Sequence, residues 1–217
     1  MSLAPQAFRL VAQMRASMTL PDGYIDVPAG KIAAVVTHLR MMAPPERRGG
    51  GGSGNWSVRL VPEPSADWYR EQYRRVGENW LWFSRLNLDA PALEKIVRDP
   101  FVEIYSLLCD GRDEGLLELD FRVEGMCELA FFGVVPGLIG RGAGRFLMDH
   151  AIERAWRKPI RCFWVHTCTF DHPGAISFYI RSGFEPFKRQ IEIADDPRLT
   201  SGYPPEAAPH IPVIQAT

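Results

Sequence analysis

The chain has 217 residues, room for one full domain with an arm or at most one and a half domains. Hydrophobic residues make up 46% and charged residues 24%, the balance of an ordinary soluble globular protein. With 25 basic against 26 acidic side chains the net charge is −1, so no basic field exists to draw nucleic acid or an anionic membrane, and the expected partner is a small molecule or peptide.

Residues 1–21 carry Arg9 and Arg15 and no acid, a faint transit-peptide composition, but no apolar region followed by a cleavage site, so secretion is not expected. Ile32, Val35, Val36 and Leu39 recur at helical spacing and predict an amphipathic helix over Lys31 to Met42, ended by Pro44 and Pro45. The run GGGGSG at 49–54 reads as a flexible linker. Residues 1–55 are thus expected to be an arm, whose helix needs an apolar surface and is suited to bridging the subunits of a homodimer. The main domain is placed at 56–194 and a proline-rich tail at 195–217.

Within the domain, Ser57 to Val61 predicts a strand, Ser65 caps a helix to about Val76, and Asp89 starts another that Pro100 stops. The segment between them holds Trp80, Trp82 and Phe83. Val102 to Cys109, Gly115 to Val123 and Cys127 to Val135 read as successive antiparallel strands joined by turns at Asp110-Gly111 and Glu124-Gly125. A helix to about Arg157 follows, then a strand over Ile160 to Thr169. Asp171 or His172 caps a last helix running to Gly183, and Phe184 to Ile193 forms the final strand. The tail from Gly202 to Ile214 either folds over the site or hangs free. Four cysteines without Cys-x-x-Cys spacing read as reduced thiols in a cytoplasmic protein. His166 and Cys168 share a strand face but have no further partners at ligand spacing, so they read as core residues and no metal is expected.

The apolar strand ending at Val135 enters a turn with glycines at 140, 142 and 144 and then a helix. Glycines let such a turn curl tightly, and converging N–H groups at a helix start favour a pyrophosphate. A dinucleotide fingerprint fails because Arg145 stands where its third glycine belongs, and a P-loop fails because Gly144 is followed by Arg145 and Phe146.

The pattern V-x-P, three residues, then G-x-G-x-G-x-x-L resembles the acyl-coenzyme A loop of the GNAT superfamily of N-acetyltransferases. His172-Pro173-Gly174-Ala175-Ile176-Ser177-Phe178-Tyr179, closing on Gly183-Phe184, is similar to that family's second signature, and the element order matches. The resemblance covers roughly 57–193. It implies an α/β (α+β) fold: a mixed, mostly antiparallel sheet with splayed central parallel strands and helices on both faces. It also implies acetyl-CoA as co-substrate, without a metal, and attack by a primary amine of a small molecule or peptide in a ternary complex. Two positions depart from the pattern: Ile139 stands where Gln or Arg is usual, and His172 replaces Asn.

The resemblance assigns the pantetheine to Phe132, Gly133 and Val134, with Gly133 permitting a bulge that splays the strand. It assigns the pyrophosphate to Gly140, Arg141, Gly142, Ala143, Gly144 and Arg145, with main-chain amides of 141–144 as donors. Tyr179 matches the tyrosine that protonates the departing sulfur; the alternative is a ring that simply packs on the sheet. Glu118 and Asp120 share a strand face beside Glu128; Glu118 and Glu128 rank ahead of Asp120 as general base, and Asp120 as a binding group for the amine, against a reading as solvated sheet-edge carboxylates. His172 is either a cap, a contact to the coenzyme, or a base near neutral pH. Trp80, Trp82 and Phe83 either line the acceptor pocket or pack onto the N-terminal helix. Beside N-acetyl transfer stand two other readings: another acyl donor or an O-linked acceptor, and a catalytically silent acyl-CoA sensor or interaction domain.

Overall fold

The computed structural model describes residues 22–46 and 54–215. Its elements in chain order are β1 (Lys31–Met41), β2 (Trp56–Leu60), α1 (Ala66–Gly77), α2 (Ala90–Val97), β3 (Val102–Cys109), β4 (Arg112–Asp120), β5 (Met126–Val134), α3 (Ala143–Trp156), β6 (Cys162–Cys168), α4 (Ala175–Arg181), β7 (Glu185–Asp195) and the single turn α5 (Pro197–Thr200). Local chemistry sets many of these boundaries. The Ser65 side chain accepts the Trp68 N–H at 3.2 Å and that of Asp89 accepts the Ala92 N–H at 2.8 Å, each satisfying an amide at a helix start. Asp110 and Gly111, both at positive φ, turn β3 into β4.

The strands form one sheet in the order β2-β3-β4-β5-β6-β1-β7, with every neighbouring pair antiparallel except β5 and β6. The expected helix over Lys31 to Met42 is therefore corrected: the segment is an interior strand. It pairs with β6 from Val36 opposite Cys168 to Met41 opposite Phe163, and with β7 along its whole length. The physical reason lies in burial on both faces. Ile32, Ala34 and Val36 point one way, Leu39 and Met41 the other, and all are buried. The buried face changes over at Val36 and Thr37, so the alternation breaks in mid-strand and the apolar residues fall by chance at helical spacing. The arm drawn at 1–55 thus contributes a strand to the sheet, and the surface-bound helix with its subunit-bridging role does not arise. The linker residues 49–53 and the leader-like residues 1–21 lie outside the described residues.

Helices cover both faces. Val76 of α1 meets Gly133 from one side, while Phe178 of α4 stacks on Phe132 from the other with centroids 5.7 Å apart. Adjacent strand residues point to opposite faces, so these two contacts place α1 and α4 on opposite sides. The core between sheet and helices includes Tyr69, Tyr73, Leu93, Leu107, Leu147 and Phe163, all fully buried.

The tail folds over. Arg198, buried, chelates Asp196 through Nε and Nη2 at 2.9 and 2.7 Å and donates to the Ala207 and Ile211 carbonyls at 3.2 and 2.7 Å. Burial opposes the Asp196 charge, but the Arg198 hydrogen bonds prevail and hold its carboxyl below the usual range. Gly30 N–H donates to the Ile214 carbonyl at 2.7 Å, and Tyr203, Ala207 and Ala208 pack with Ile32 and Leu81 in a second apolar cluster. The segment after α1 is pinned by this cluster, and Leu81 accepts a left-handed φ of 51° to reach it.

Candidate active site

The two parallel strands part company early. β5 and β6 pair only from Met126 opposite Cys162 to Glu128 opposite Trp164, after which β5 stays with β4 and β6 with β1. At the fork the register of β5 on β4 steps from Leu129 opposite Leu119 to Phe131 opposite Glu118, so Ala130 is the extra residue of a bulge. The expected bulge at Gly133 is corrected: Gly133 pairs regularly with Leu116, and its lack of a side chain serves packing. A Cβ there would lie 2.5 Å from Val76 Cγ1, on a stiff β-branched side chain.

A cleft of about 790 Å³ opens along the gap and is lined by Phe132, Gly133 and Val134 on β5, Val165, His166 and Cys168 on β6, and Phe178 and Tyr179 on α4. It extends to the glycine turn, where Gly140, Gly142, Gly144 and Arg145 also line it. Gly140 and Gly142 take φ of 77° and 92°, conformations that cost most other residues dearly. The first helical hydrogen bond of α3 runs from Phe146 N–H to the Gly142 carbonyl, which leaves the amides of Ala143, Gly144 and Arg145 without helical acceptors. Of the expected donors 141–144, Arg141 N–H is spent on the Leu138 carbonyl at 3.3 Å, and the Arg145 amide, which was not expected, is among the free ones. Ala143 contributes only backbone, its methyl being fully buried, and Ile139 lines the cleft where a polar side chain was usual.

Tyr179 is 7% exposed and lines the cleft, its ring set edge-on to Phe132 and Phe184. Burial first, and the Asp171 charge second, push its hydroxyl above the ordinary phenol range, so it stays protonated. His172 also lines the cleft, but its Nδ1 accepts the Gly174 N–H at 3.0 Å. With that lone pair engaged the other ring nitrogen carries the proton, so neither nitrogen of the neutral ring is a free base. The predicted helix cap is likewise corrected. The Asp171 carboxylate accepts from Thr167 Oγ1, the Cys168 N–H and Trp82 Nε1 at 2.7, 2.8 and 3.2 Å, tying the end of β6 to the aromatic segment, and α4 begins later, after Gly174.

Of the three carboxylates, only Glu128 is presented to the cleft without a basic chain partner of the Lys or Arg type. Glu118 is fully buried beneath the site, held by Arg85 at 2.6 Å and by the Tyr69 hydroxyl, and it does not line the cleft. Its candidacy as a base is withdrawn: a fully buried carboxylate engaged by a guanidinium and a phenol and absent from the cleft wall does not reach a substrate. Asp120 does line the cleft, but Arg122 clasps both its oxygens at 2.5 to 3.0 Å. Glu128 faces His166, Oε1 to Nδ1 3.5 Å, and the His166 side chain is 46% exposed. His166 is therefore a cleft residue and not part of the core. The alternation of buried Phe163, Val165 and Thr167 along β6 was the available signal, since it turns His166 to the other face.

Trp80, Trp82 and Phe83 form a wall of the same cleft, joined by Phe170. Trp82 is fixed by Asp171 and by the Tyr203 hydroxyl, which donates to its carbonyl; Trp80 sits edge-on to His172 at 5.4 Å. Among the described residues no group of His, Cys, Asp and Glu is arranged to hold a metal ion, and no helix is long and apolar enough to cross a membrane.

A family model described as "Acetyltransferase (GNAT) family" matches residues 63–184. Among solved structures, a GCN5-related N-acetyltransferase from Sphaerobacter thermophilus superposes with a TM-score of 0.58 at 15% identity, covering 87% of this chain and 56% of the other. A protein assigned to the GNAT family from Novosphingobium aromaticivorans gives 0.53 at 13% identity, covering 78% and 68%. A conserved protein of unknown function from Staphylococcus epidermidis gives 0.51 at 14%, covering 77% and 63%, so this chain spans less than two thirds of that protein's length. No curated protein matches the sequence.

Proposed function

From the premise that the chain belongs to the GNAT acetyltransferase family, we propose that it transfers an acetyl group from acetyl-CoA to a primary amine of a small molecule or peptide. The observation that carries this reading is the fork: a gap between β5 and β6 that ends in a glycine turn with three unspent helix amides.

The residues present fit coenzyme A. A Cβ built on Gly140 or Gly144 meets nothing within 4 Å, so the turn has room beside it, and Arg145 adds a positive charge there. The amides of Ala143, Gly144 and Arg145 would hold the diphosphate, and the unpaired edge of β5 at Phe132 to Val134 would hold the pantetheine as an added strand does. When bound, the coenzyme supplies an acyl group activated as a thioester. Tyr179 keeps a proton on its hydroxyl at the gap for the sulfur that leaves. Glu128 offers a negative charge to an ammonium at the fork, and Trp80, Trp82, Phe83 and Phe170 exclude water there.

Replacing Tyr179 by Phe is expected to lower thiol release about 100-fold while leaving acetyl-CoA affinity unchanged, as loss of a general acid does; an unaffected rate removes Tyr179 from the mechanism. Gly144→Glu puts a carboxylate where the diphosphate belongs and is expected to weaken acetyl-CoA binding by at least about tenfold. Its melting temperature should hold, because nothing crowds that Cβ. Calorimetry with acetyl-CoA and thiol release against a panel of primary amines test the reading together. Absence of binding refutes it; tight binding without turnover on any amine favours the silent acyl-CoA sensor.

A further inference from the structure

We propose that His166 takes the proton from the acceptor ammonium and that Glu128 is the positioning residue that holds its ring. This rests on the amine-acylating reading above. The two side chains come from the parallel pair β5 and β6, the only one among the described residues, at the point where that pair separates, and both line the cleft. His166 Nδ1 is the nitrogen turned to Glu128 Oε1, which leaves Nε2 as the lone pair for the acceptor. His166 is also the more open of the two, 46% against 21% exposed.

The surroundings separate His166 from its neighbour. His38 of β1 lies directly across the register, ring centroids 5.8 Å apart, packed against Trp164 and Phe187 with a buried, unpartnered Nε2. Facing His166 are Glu128 from β5, Asp171 from the loop after β6 and Glu192 from β7, while His38 faces Lys188 and Gln190 of β7. On its own strand, Cys168 is pushed up to about 12, chiefly by burial, and stays a thiol. Burial works against a charge on His166, but the three carboxylates outweigh it and raise its pKa above 6.5; burial and the His166 charge lower that of His38. The two adjacent rings are driven apart in proton affinity, and His166 is the more basic of the pair. An imidazole is by nature a stronger base than a carboxylate and so suits an ammonium better.

The protons balance. One N–H bond of the ammonium breaks as a bond to His166 Nε2 forms, freeing the nitrogen lone pair for attack. The second proton lost from that nitrogen replaces the one Tyr179 gives to the departing sulfur. Tyr179 ends neutral, and the net proton released is the one on His166.

The test pairs an NMR titration of the imidazoles in the free protein with pH profiles of kcat/KM, using acetyl-CoA and the best amine of the panel. In the wild type the His166 midpoint should lie above 6.5 and His38 below it, and activity should rise with pH through the His166 value. Glu128→Gln should move both the His166 midpoint and the acid limb to lower pH with a modest loss of rate. His166→Gln should abolish the limb and cost about 100-fold. A limb and rate kept by His166→Gln, or a rate lost only in Glu128→Gln, makes Glu128 the base and overturns the proposal. If no amine is acylated, the transferase reading fails by itself; a His166 midpoint at or below 6.5 that Glu128→Gln does not move overturns the pairing independently.

Discussion

A chain starting at residue 54 is expected to yield no cooperatively folded protein, and a peptide of residues 22–46 supplied in trans is expected to restore one. Without β1, two neighbouring ladders disappear, and β6 and β7 are left roughly 10 Å apart with no strand between them. Burial of Ile32, Val36, Leu39 and Met41 is worth about 1.5–3 kcal/mol each, so their loss rivals the whole stability of a typical domain, about 5–15 kcal/mol. Circular dichroism and thermal melts of the truncated chain, with and without the peptide, decide the matter. A soluble truncated protein with a sharp melt would show that β1 is dispensable, as an arm would be.

The second large effect lies under the site. Arg85→Met is expected to cost about 3–5 kcal/mol, because it removes the cation beside a fully buried Glu118 and leaves only the Tyr69 hydroxyl as its partner. The guanidinium also lies over the Phe131 ring at 5.0 Å, so the same change removes a cation–π contact. Replacing Glu118 by Leu in the same chain removes the stranded charge and should recover most of the loss. By contrast Arg122→Met should cost less, because Asp120, though only 10% exposed, opens onto the cleft and keeps the residue 122 backbone N–H as a partner. Urea unfolding of the single and double variants measures all three. A cost below about 1 kcal/mol for Arg85→Met would mean that Glu118 finds another partner or takes up a proton.

What could be read in advance was local. The strand Val102–Cys109 and the caps at Ser65 and Asp89 depend on residues within a few positions of one another, and the glycine turn announces itself by spacing. The misreadings depend on distant partners. Glu118 looked like a free base because its partners, Arg85 and Tyr69, are 33 and 49 residues away in sequence. His166 looked like a core residue because the carboxylate beside it sits on another strand, and only the parting of β5 from β6 exposes the pair. β1 escaped because its buried face changes over at Val36 and Thr37, which breaks the strand period and mimics a helical one. The bulge was sought at a glycine and found at Ala130, since the splay follows strand pairing and the glycine answers to Val76.

Lys31 and Asp195 are joined by an ion pair across 164 residues, and both strands between which β1 sits are translated well after it. β1 must therefore wait, its apolar residues uncovered, until β7 has been made. Such long-range closure slows folding and lengthens exposure to self-association. Yield on expression should thus respond to translation speed and to chaperone supply more than the modest size of the molecule would suggest.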